Sequence, residues 1–166
     1  MECKALQVMD ITYSSSVDGI GFRDVLFVAG CPHHCEGCHN PQTWDFNAGN
    51  NMTVEEAYTL LTKSDITDVT FSGGEPFCQA KALTILAKLI KEKTSKDIWI
   101  FSGFTFEEII SDDEKLNLLK ECDVLVDGKF EINNKGLNMR FKGSYNQRII
   151  DVKKSLEKKE AVLLIK

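Results

Sequence analysis

A short loop rich in cysteine constrains this chain more than any other part of its sequence. Cys31, Cys35 and Cys38 are three of the six cysteines, and they follow the spacing C-x3-C-x2-C directly after the apolar run 25–28. Thiolates this close in sequence are typical of a metal site. Structural zinc usually takes four protein ligands, and iron–sulfur clusters usually take four cysteines. Three cysteines therefore leave one metal position open to a small molecule.

Zinc is the alternative metal for this loop. His33, His34 or His39 could supply a fourth ligand and complete a structural zinc site. The cysteines alone do not distinguish a closed zinc site from a metal group with one open position, and the rest of the chain bears on the choice.

Length, charge and composition narrow the class of protein. At 166 residues, we expect a single domain covering residues 1–166. The net charge of −5 and the absence of a basic cluster argue against nucleic acid as a direct partner. We expect no membrane association, since no apolar run is long enough to cross a bilayer, and the N-terminus does not resemble a signal peptide. Cysteines kept free for metal favour a reducing compartment, so we expect a cytoplasmic protein.

Apolar runs alternate with amphipathic segments, which favours parallel β-α-β units. A complete eight-fold barrel needs about 250 residues, so we predict an α/β fold in the form of a partial parallel β/α barrel, open on one side. Residues 47–52 are predicted to be a polar connector. Strands are predicted at 4–12, 22–29, 68–71, 97–101, 124–126 and 148–152. Two helices are predicted to start at capping boxes, at Thr53 and at Thr105. Further helices are predicted at 77–93 and 116–122, and a short helix or tail at 153–160.

Each of four predicted strands ends in residues suited to chemistry. These ends are the cysteine loop, the segment 72–76, Ser102-Gly103 and the segment 127–129. Because the carboxyl ends of parallel strands share one edge of a sheet, the four segments should converge there. A zinc knot predicts no such convergence, which counts against it.

The cysteine loop and the run Gly73-Gly74-Glu75-Pro76 resemble the radical S-adenosylmethionine (SAM) enzymes. In that family three such cysteines hold a 4Fe–4S cluster, and SAM chelates the fourth iron. The resemblance implies that Cys31, Cys35 and Cys38 are the cluster ligands. It also implies contacts of Gly73, Gly74 and Glu75 with the SAM amino group, and of Ser102 and Asp127 with the SAM carboxylate or ribose. His39 and Asn40 are expected to shape the cluster loop, with His39 among the cofactor-binding residues.

Residues 23–44, 127–130 and 140–148 resemble more narrowly the activating proteins of anaerobic ribonucleoside-triphosphate reductases. Gly37 lacks the aromatic character that many radical SAM proteins have at that position, but it suits this group. The resemblance implies an activase that receives one electron from a flavodoxin-type donor, cleaves SAM and abstracts a hydrogen atom from a glycine of the reductase. No side chain is identified as catalytic in its own right.

Two other functions stay open at this point. One is a small radical SAM enzyme of another kind, such as a different glycyl-radical activase or a 7-carboxy-7-deazaguanine-type synthase. The other is a non-catalytic zinc or iron–sulfur scaffold.

Several further residues allow both a structural and a functional interpretation. Trp44 could pack on the cluster loop or in the core. The remaining cysteines, Cys3, Cys78 and Cys122, are expected to be small buried apolar residues. The aromatic residues near the loops could face a partner protein or fill the core, and they are Phe46, Phe104, Phe106 and Phe130.

Overall fold

The computed structural model describes residues 4–137 and 139–165, and its backbone forms one eight-stranded mixed sheet with five helices. The strand order is β3-β1-β2-β4-β5-β6-β7-β8, so β3 and β8 are the two edges. The strands are β1 (Ala5–Ser15), β2 (Arg23–Val28), β3 (Asn50–Thr53), β4 (Asp68–Gly73), β5 (Ile98–Phe101), β6 (Val124–Asp127), β7 (Arg148–Asp151) and β8 (Leu163–Ile165), and the helices are α1 (Val54–Leu61), α2 (Ala80–Lys93), α3 (Phe106–Ile110), α4 (Asp113–Leu119) and α5 (Val152–Lys158).

The centre of the sheet is parallel and its flanks are antiparallel. Strands β2, β4, β5 and β6 run parallel to one another. On one side β1 and β3 add antiparallel, and on the other side β7 and β8 do the same. The predicted open α/β fold with a parallel core is thus confirmed, whereas the antiparallel flanks were not predicted. None of the described helices is long and apolar enough to cross a bilayer.

Side-chain alternation along the parallel strands divides the sheet into two faces. Val69 and Phe71 on β4 point into the main core, where α2 contributes Leu83, Leu86 and Ile90. The opposite face carries a smaller apolar cluster around Trp99 and Val126, together with Ile149 and Phe141. The helices therefore cover one face, and loops cover part of the other.

The predicted helix starts at Thr53 and Thr105 are confirmed as capping boxes, each with a glutamate three residues on that returns a hydrogen bond. The predicted helix at 77–93 begins with a 3-10 turn at Pro76–Gln79, before α2. The helical segment after Thr105 divides into α3 and α4, since the Asp112 side chain caps the Lys115 amide and starts a new helix.

Two short edge strands depart from the prediction. The predicted polar connector at 47–52 contains most of β3, which pairs with β1 through its backbone while its side chains remain largely exposed. Strand β8 was not predicted, and it pairs with β7. Strand β3 gives no hydrophobic pattern, because its residues are mostly polar and exposed. Strand β8 lies within the apolar run 161–165, which the prediction left without a strand.

Candidate metal and cofactor site

A cavity of about 490 Å³ lies at the carboxyl edge of the four parallel strands. Every predicted strand-end segment contributes to its wall, so the predicted convergence is present in the structure. From these segments the lining residues are Cys31, His33, Cys35, Cys38, His39, Asn40, Ser72, Gly73, Gly74, Ser102, Gly103 and Gly128.

The cysteine loop is held at its base by backbone hydrogen bonds. The Gly30 amide donates to the Thr43 carbonyl at 2.7 Å, and the Cys31 amide donates to the Trp44 carbonyl at 3.2 Å. Gly30 has φ +95°, and a Cβ there would lie 2.3 Å from the Phe46 ring, so glycine is required. These contacts fix the loop without using a thiol.

The three thiols of the loop are free and half-buried. Burial is the main effect that raises the pKa of the Cys31 thiol, and the charge of Glu75 adds to it, while the His33 and His34 amides oppose the shift. The Asn40 amide donates a hydrogen bond to the Cys38 sulfur at 3.4 Å. Cysteine must be deprotonated to bind a metal, so loading of this loop releases protons.

The three histidines of the loop each have a separate neighbour. His33 contacts Glu75, the His34 ring stacks on Trp44 with centroids 4.4 Å apart, and the His39 ring lies 5.3 Å from that of Phe130. Among the described residues, no group of three or more His, Cys, Asp or Glu side chains is arranged to hold a metal ion. The same holds for the three cysteines, so the loop does not form a closed site for a single ion. In a 4Fe–4S cluster each cysteine binds a separate iron, so the three thiols need not converge on one point.

Trp44 provides a test of whether a cluster fits here. Its indole Nε1 is buried and has no hydrogen-bond acceptor among the described residues, and the residue lines the same cavity as the cysteines. Buried donors are rarely left without a partner. The sulfurs of an iron–sulfur cluster accept hydrogen bonds, so three free thiols beside an unpaired donor fit such a group.

The two glycines of the Gly-Gly-Glu-Pro segment bring it against the base of the cysteine loop. The Gly74 amide donates to the Val28 carbonyl at 3.0 Å, and the Glu75 amide donates to the Gly30 carbonyl at 2.8 Å. A Cβ on Gly73 would lie 2.4 Å from the Val28 nitrogen, and one on Gly74 would lie 2.5 Å from the Gly30 oxygen. Contact with the chain itself therefore demands glycine at both positions, and both glycines also line the cavity.

The Glu75 carboxylate is fully buried, and its hydrogen-bond partners are groups of the protein. It accepts hydrogen bonds from the Ser102 hydroxyl at 2.9 Å, the Gly103 amide at 2.8 Å and the Phe77 amide at 3.0 Å, and it lies 2.7 Å from His33 Nε2. Glu75 does not line the cavity, whereas Ser102, Gly103 and His33 do. Glu75 therefore lies directly behind the residues that line the cavity, and its expected contact with SAM stays a prediction.

Asp127 has protein partners of its own, and its expected contact with SAM stays a prediction. Its carboxylate is buried and accepts hydrogen bonds from Arg148 Nε at 3.0 Å and from the Phe106 amide at 2.7 Å. Asp127 does not line the cavity, but its neighbour Val126 does. Because successive side chains of a strand point to opposite faces, Asp127 points away from the site that Val126 faces. Arg148 also binds Glu107, and that hydrogen bond lowers the pKa of the Glu107 carboxyl.

Part of the cavity wall had no predicted role. Ser16, Val17 and Asp18 come from the β1–β2 connection, while the cationic residues Arg140 and Lys142 come from the loop before β7. The segment 140–148 carried the family resemblance, which was the available signal for the second group. The start of the loop from β1 to β2 is typical of a turn, so nothing in its sequence indicated a place in the site.

The Gln147 side chain hydrogen-bonds the loop before β7 to the residues that follow β6. Its side-chain oxygen accepts hydrogen bonds from the Gly143 amide at 2.7 Å and the Ser144 amide at 3.2 Å, and its side-chain nitrogen donates to the Gly128 carbonyl at 2.9 Å. The cationic part of the wall is thereby held beside the strand ends.

The loop aromatics separate into core and surface residues. Phe106 is fully buried in the main core, and Phe104 packs against that core. Phe46 is half-exposed beside Gly30, while Phe130 is partly buried and lies against Gly143.

The remaining cysteines differ in burial. Cys122 is buried, as predicted, but Cys78 is exposed, so its prediction was wrong. Cys78 follows Pro76 and Phe77 on a 3-10 turn that buries those two residues and leaves the cysteine at the surface. Cys3 lies outside the described residues.

Comparison with known proteins identifies the family. The family described as "4Fe-4S single cluster domain" matches residues 17–150. The "Anaerobic ribonucleoside-triphosphate reductase-activating protein" of Enterobacteria phage T4 is 40% identical over 139 residues, which cover 80% of this chain and 86% of the relative. The proteins of the same name from Vibrio cholerae and Escherichia coli K12 are 37% and 32% identical, covering 80% and 79% of this chain and 90% and 89% of the relatives.

Among solved structures, QueE from Escherichia coli matches with a TM-score of 0.47 at 15% identity, over 84% of this chain and 64% of that chain. A likeness at this level carries no argument about function. The sequence relatives and the family match are sufficient: this chain belongs to the family of anaerobic ribonucleoside-triphosphate reductase-activating proteins and contains its 4Fe–4S single-cluster domain.

Proposed function

We propose that this protein is a radical SAM activase that generates a glycyl radical on an anaerobic ribonucleoside-triphosphate reductase. The observation that carries the proposal is the meeting of three free cysteines with four strand ends around one cavity. The names of the relatives supply the protein substrate.

In the proposed site, Cys31, Cys35 and Cys38 would hold a 4Fe–4S cluster, and SAM would bind beside them. When bound, the reduced cluster would supply the one-electron reduction that cleaves SAM, and a hydrogen atom would be taken from a glycine Cα of the reductase. One electron would give one methionine, one 5′-deoxyadenosine and one glycyl radical, so atoms and electrons would balance.

The chain's own residues bind and orient SAM. The Gly73-Gly74 backbone and the Ser102-Gly103 edge lie on the wall beside the cysteines, where they can hold the methionine part. Arg140 and Lys142 place positive charge on the same wall. His39 and Asn40 also line the cavity and can shape the end of the cysteine loop. Enclosure of the reacting groups by this wall excludes water from a reactive radical.

The flavodoxin-type electron donor follows from the family resemblance. The cytoplasmic location is proposed from the cysteines kept free for metal, and the single domain over residues 1–166 from the chain length. The acidic net charge and the lack of a long apolar run support a protein that binds neither nucleic acid nor a membrane.

An anaerobic assay tests the function. The protein is reconstituted with iron and sulfide, reduced with dithionite and given SAM, and 5′-deoxyadenosine is quantified with and without the reductase. We expect a glycyl radical signal by electron paramagnetic resonance (EPR) only when reductase is present. Alanine at Cys31, Cys35 or Cys38 should abolish both the product and the radical.

The matched control is Cys78→Ala, because Cys78 is a nearby free cysteine outside the metal loop. This variant should retain the cluster and the activity. Deoxyadenosine without any radical on the reductase would assign the chemistry to another substrate. A protein that binds zinc without sulfide, and forms no product, would disprove the proposed mechanism.

A further inference from the structure

The buried Glu75 carboxylate joins the cysteine loop to the cavity wall, and His33 makes the connection from the loop. We propose that His33 is a positioning residue, which fixes the cysteine loop against the SAM-binding wall through Glu75 and so sets how SAM is held. The inference rests on the proposed function for the cluster and SAM, but it does not depend on the reductase as substrate.

His33 lies between two cluster ligands in the sequence, yet its side chain points away from solvent. Only 6% of the side chain is exposed, and Nε2 lies 2.7 Å from Glu75 Oε1. The ring meets the Phe104 ring edge-on, with centroids 4.6 Å apart. Gly103 provides the space, since a Cβ there would lie 2.4 Å from the imidazole Cδ2. The imidazole is therefore held by a hydrogen bond, an aromatic contact and a fitted backbone.

The other hydrogen-bond partners of Glu75 lie outside the cysteine loop, on and behind the cavity wall. The Ser102 hydroxyl and the Gly103 amide donate to the carboxylate, and both residues line the cavity. The Phe77 amide fixes the carboxylate to the turn that follows the two glycines. A movement of the cysteine loop would thus pull on the groups that face SAM, through one shared carboxylate.

The carboxylate is already well supplied with donors. Oε1 is shared by His33, Ser102 and Gly103, and Oε2 accepts from Ser102 and Phe77. Removing one donor from a buried carboxylate costs free energy, because the oxygen loses a hydrogen bond that water cannot readily replace. Loss of the His33 donor should therefore rearrange the wall rather than leave it unchanged.

The adjacent histidine provides a matched comparison. His34 belongs to the same loop and is exposed, and its ring stacks on Trp44 instead of reaching the buried carboxylate. It is absent from the cavity wall. A general effect of losing a histidine from this loop should appear at both positions, whereas the positioning role should appear only at His33.

The test uses three variants of the reconstituted protein. His33→Leu removes the donor, and His33→Gln keeps an N–H donor on a side chain of similar reach. His34→Asn is the control, because His34 has φ +48° and asparagine tolerates this backbone conformation. The readouts are the KM for SAM and kcat in reductase-free deoxyadenosine formation, and the change that SAM causes in the EPR spectrum of the reduced cluster. We expect His33→Leu to raise KM about tenfold and to weaken the spectral change, since hydrogen bonds to charged groups are among the stronger ones.

We expect His33→Gln to recover a KM within about threefold of the original, since the Gln amide can replace the donor. His34→Asn should behave as the original protein. A His33→Leu protein with unaltered KM and spectrum would overturn the proposal. Equal defects in His33→Leu and His34→Asn would overturn it as well.

Hydrogen exchange of the apoprotein covers the case in which His33→Leu fails to take up a cluster. Amides of residues 31–43 should exchange faster in His33→Leu than in the original protein, His33→Gln or His34→Asn. Equal protection in all four would contradict the proposal. Because no readout includes the reductase, a failure to activate the reductase leaves this inference intact, and the two results are distinguishable.

Discussion

At the scale of single residues, Cys78 lies at the surface and yet its thiol has a raised pKa. The residue is exposed, but partial desolvation of the sulfur, with the nearby charge of Glu75, raises the thiol pKa to about 11. The ordinary value is 9.0. The thiolate is the nucleophilic form of cysteine, so exposure alone does not predict reactivity here.

We expect Cys78 to react slowly with iodoacetamide in the reconstituted protein. With a pKa of about 11, its thiolate fraction near pH 8 is about 100-fold smaller than that of a thiol with the ordinary value. Site-resolved mass spectrometry should show a rate that keeps rising up to about pH 11. A rate that levels off near pH 9, as for an unstructured cysteine peptide measured alongside, would contradict the assigned environment.

The direction in which each strand-end side chain points could not be predicted from the sequence. Ser102 and Asp127 both follow apolar strand residues, and both were expected to contact SAM. Ser102 lines the cavity, while Asp127 turns towards Arg148 and the Phe106 amide. Sequence predicts which strand ends meet, because parallel strands share an edge, but the face that each end residue takes depends on where the strand stops.

At the scale of elements, the junction between β2 and β4 determines how the cysteine loop is placed. Two inter-segment hydrogen bonds and two close glycine contacts hold the Gly73-Gly74 turn against residues 28–30. Gly74 has no space for a Cβ, since the Gly30 oxygen would be 2.5 Å away and the Thr43 oxygen 3.1 Å away. Both neighbours are backbone atoms of the segments that carry the loop.

Gly74→Ala should therefore destabilise the protein by about 3 kcal/mol, as expected for overpacking at a rigid contact. It should also lower the iron and sulfide content after reconstitution, because Gly30 directly precedes the first cluster cysteine. Urea unfolding and metal analysis measure the two effects.

Gly21→Ala is the control for this substitution. Gly21 has φ +81° but has open space around its Cβ position, so alanine should cost only about 1–2 kcal/mol of backbone strain and leave cluster content unchanged. Equal cluster loss in both variants would mean that the contact at Gly74 does not position the loop.

Whether a helix or strand could be predicted from the sequence depends on which interactions form it. The parallel strands were predicted because they are buried and apolar, and α1 and α3 because threonine and glutamate form capping boxes at their starts. Strand β3 could not be predicted, since its side chains are polar and its pairing with β1 uses backbone groups that every residue has. The break between α3 and α4 depends on one aspartate side chain, Asp112, within a continuous helical pattern.

At the scale of the whole molecule, the two tryptophans report on different parts of one sheet. Trp99 lies buried on β5 in the smaller apolar cluster, and Trp44 lies beside the cysteine loop. Hydrogen bonds and glycine contacts join that loop to β4, so the site is fastened to the sheet and is not a separate lobe.

We expect the apoprotein to unfold in urea as one unit. Trp44→Phe leaves Trp99 as the fluorescent reporter, and Trp99→Phe leaves Trp44. In each variant the fluorescence midpoint should coincide with that from far-ultraviolet circular dichroism, as for a two-state domain. A Trp44 transition at clearly lower urea than the circular dichroism transition would show that the site unfolds separately from the sheet.

The backbone frame of the cysteine loop has a consequence for survival in air. Its base is held by the Gly30 and Cys31 amides, whose acceptors are the Thr43 and Trp44 carbonyls, and the sulfur atoms take no part in these bonds. Oxygen damage that strips the iron therefore removes what the thiols hold, but it leaves the frame standing. A repair system would need to reduce the thiols and return iron and sulfide, without a round of refolding, so one molecule could serve through repeated exposures to oxygen.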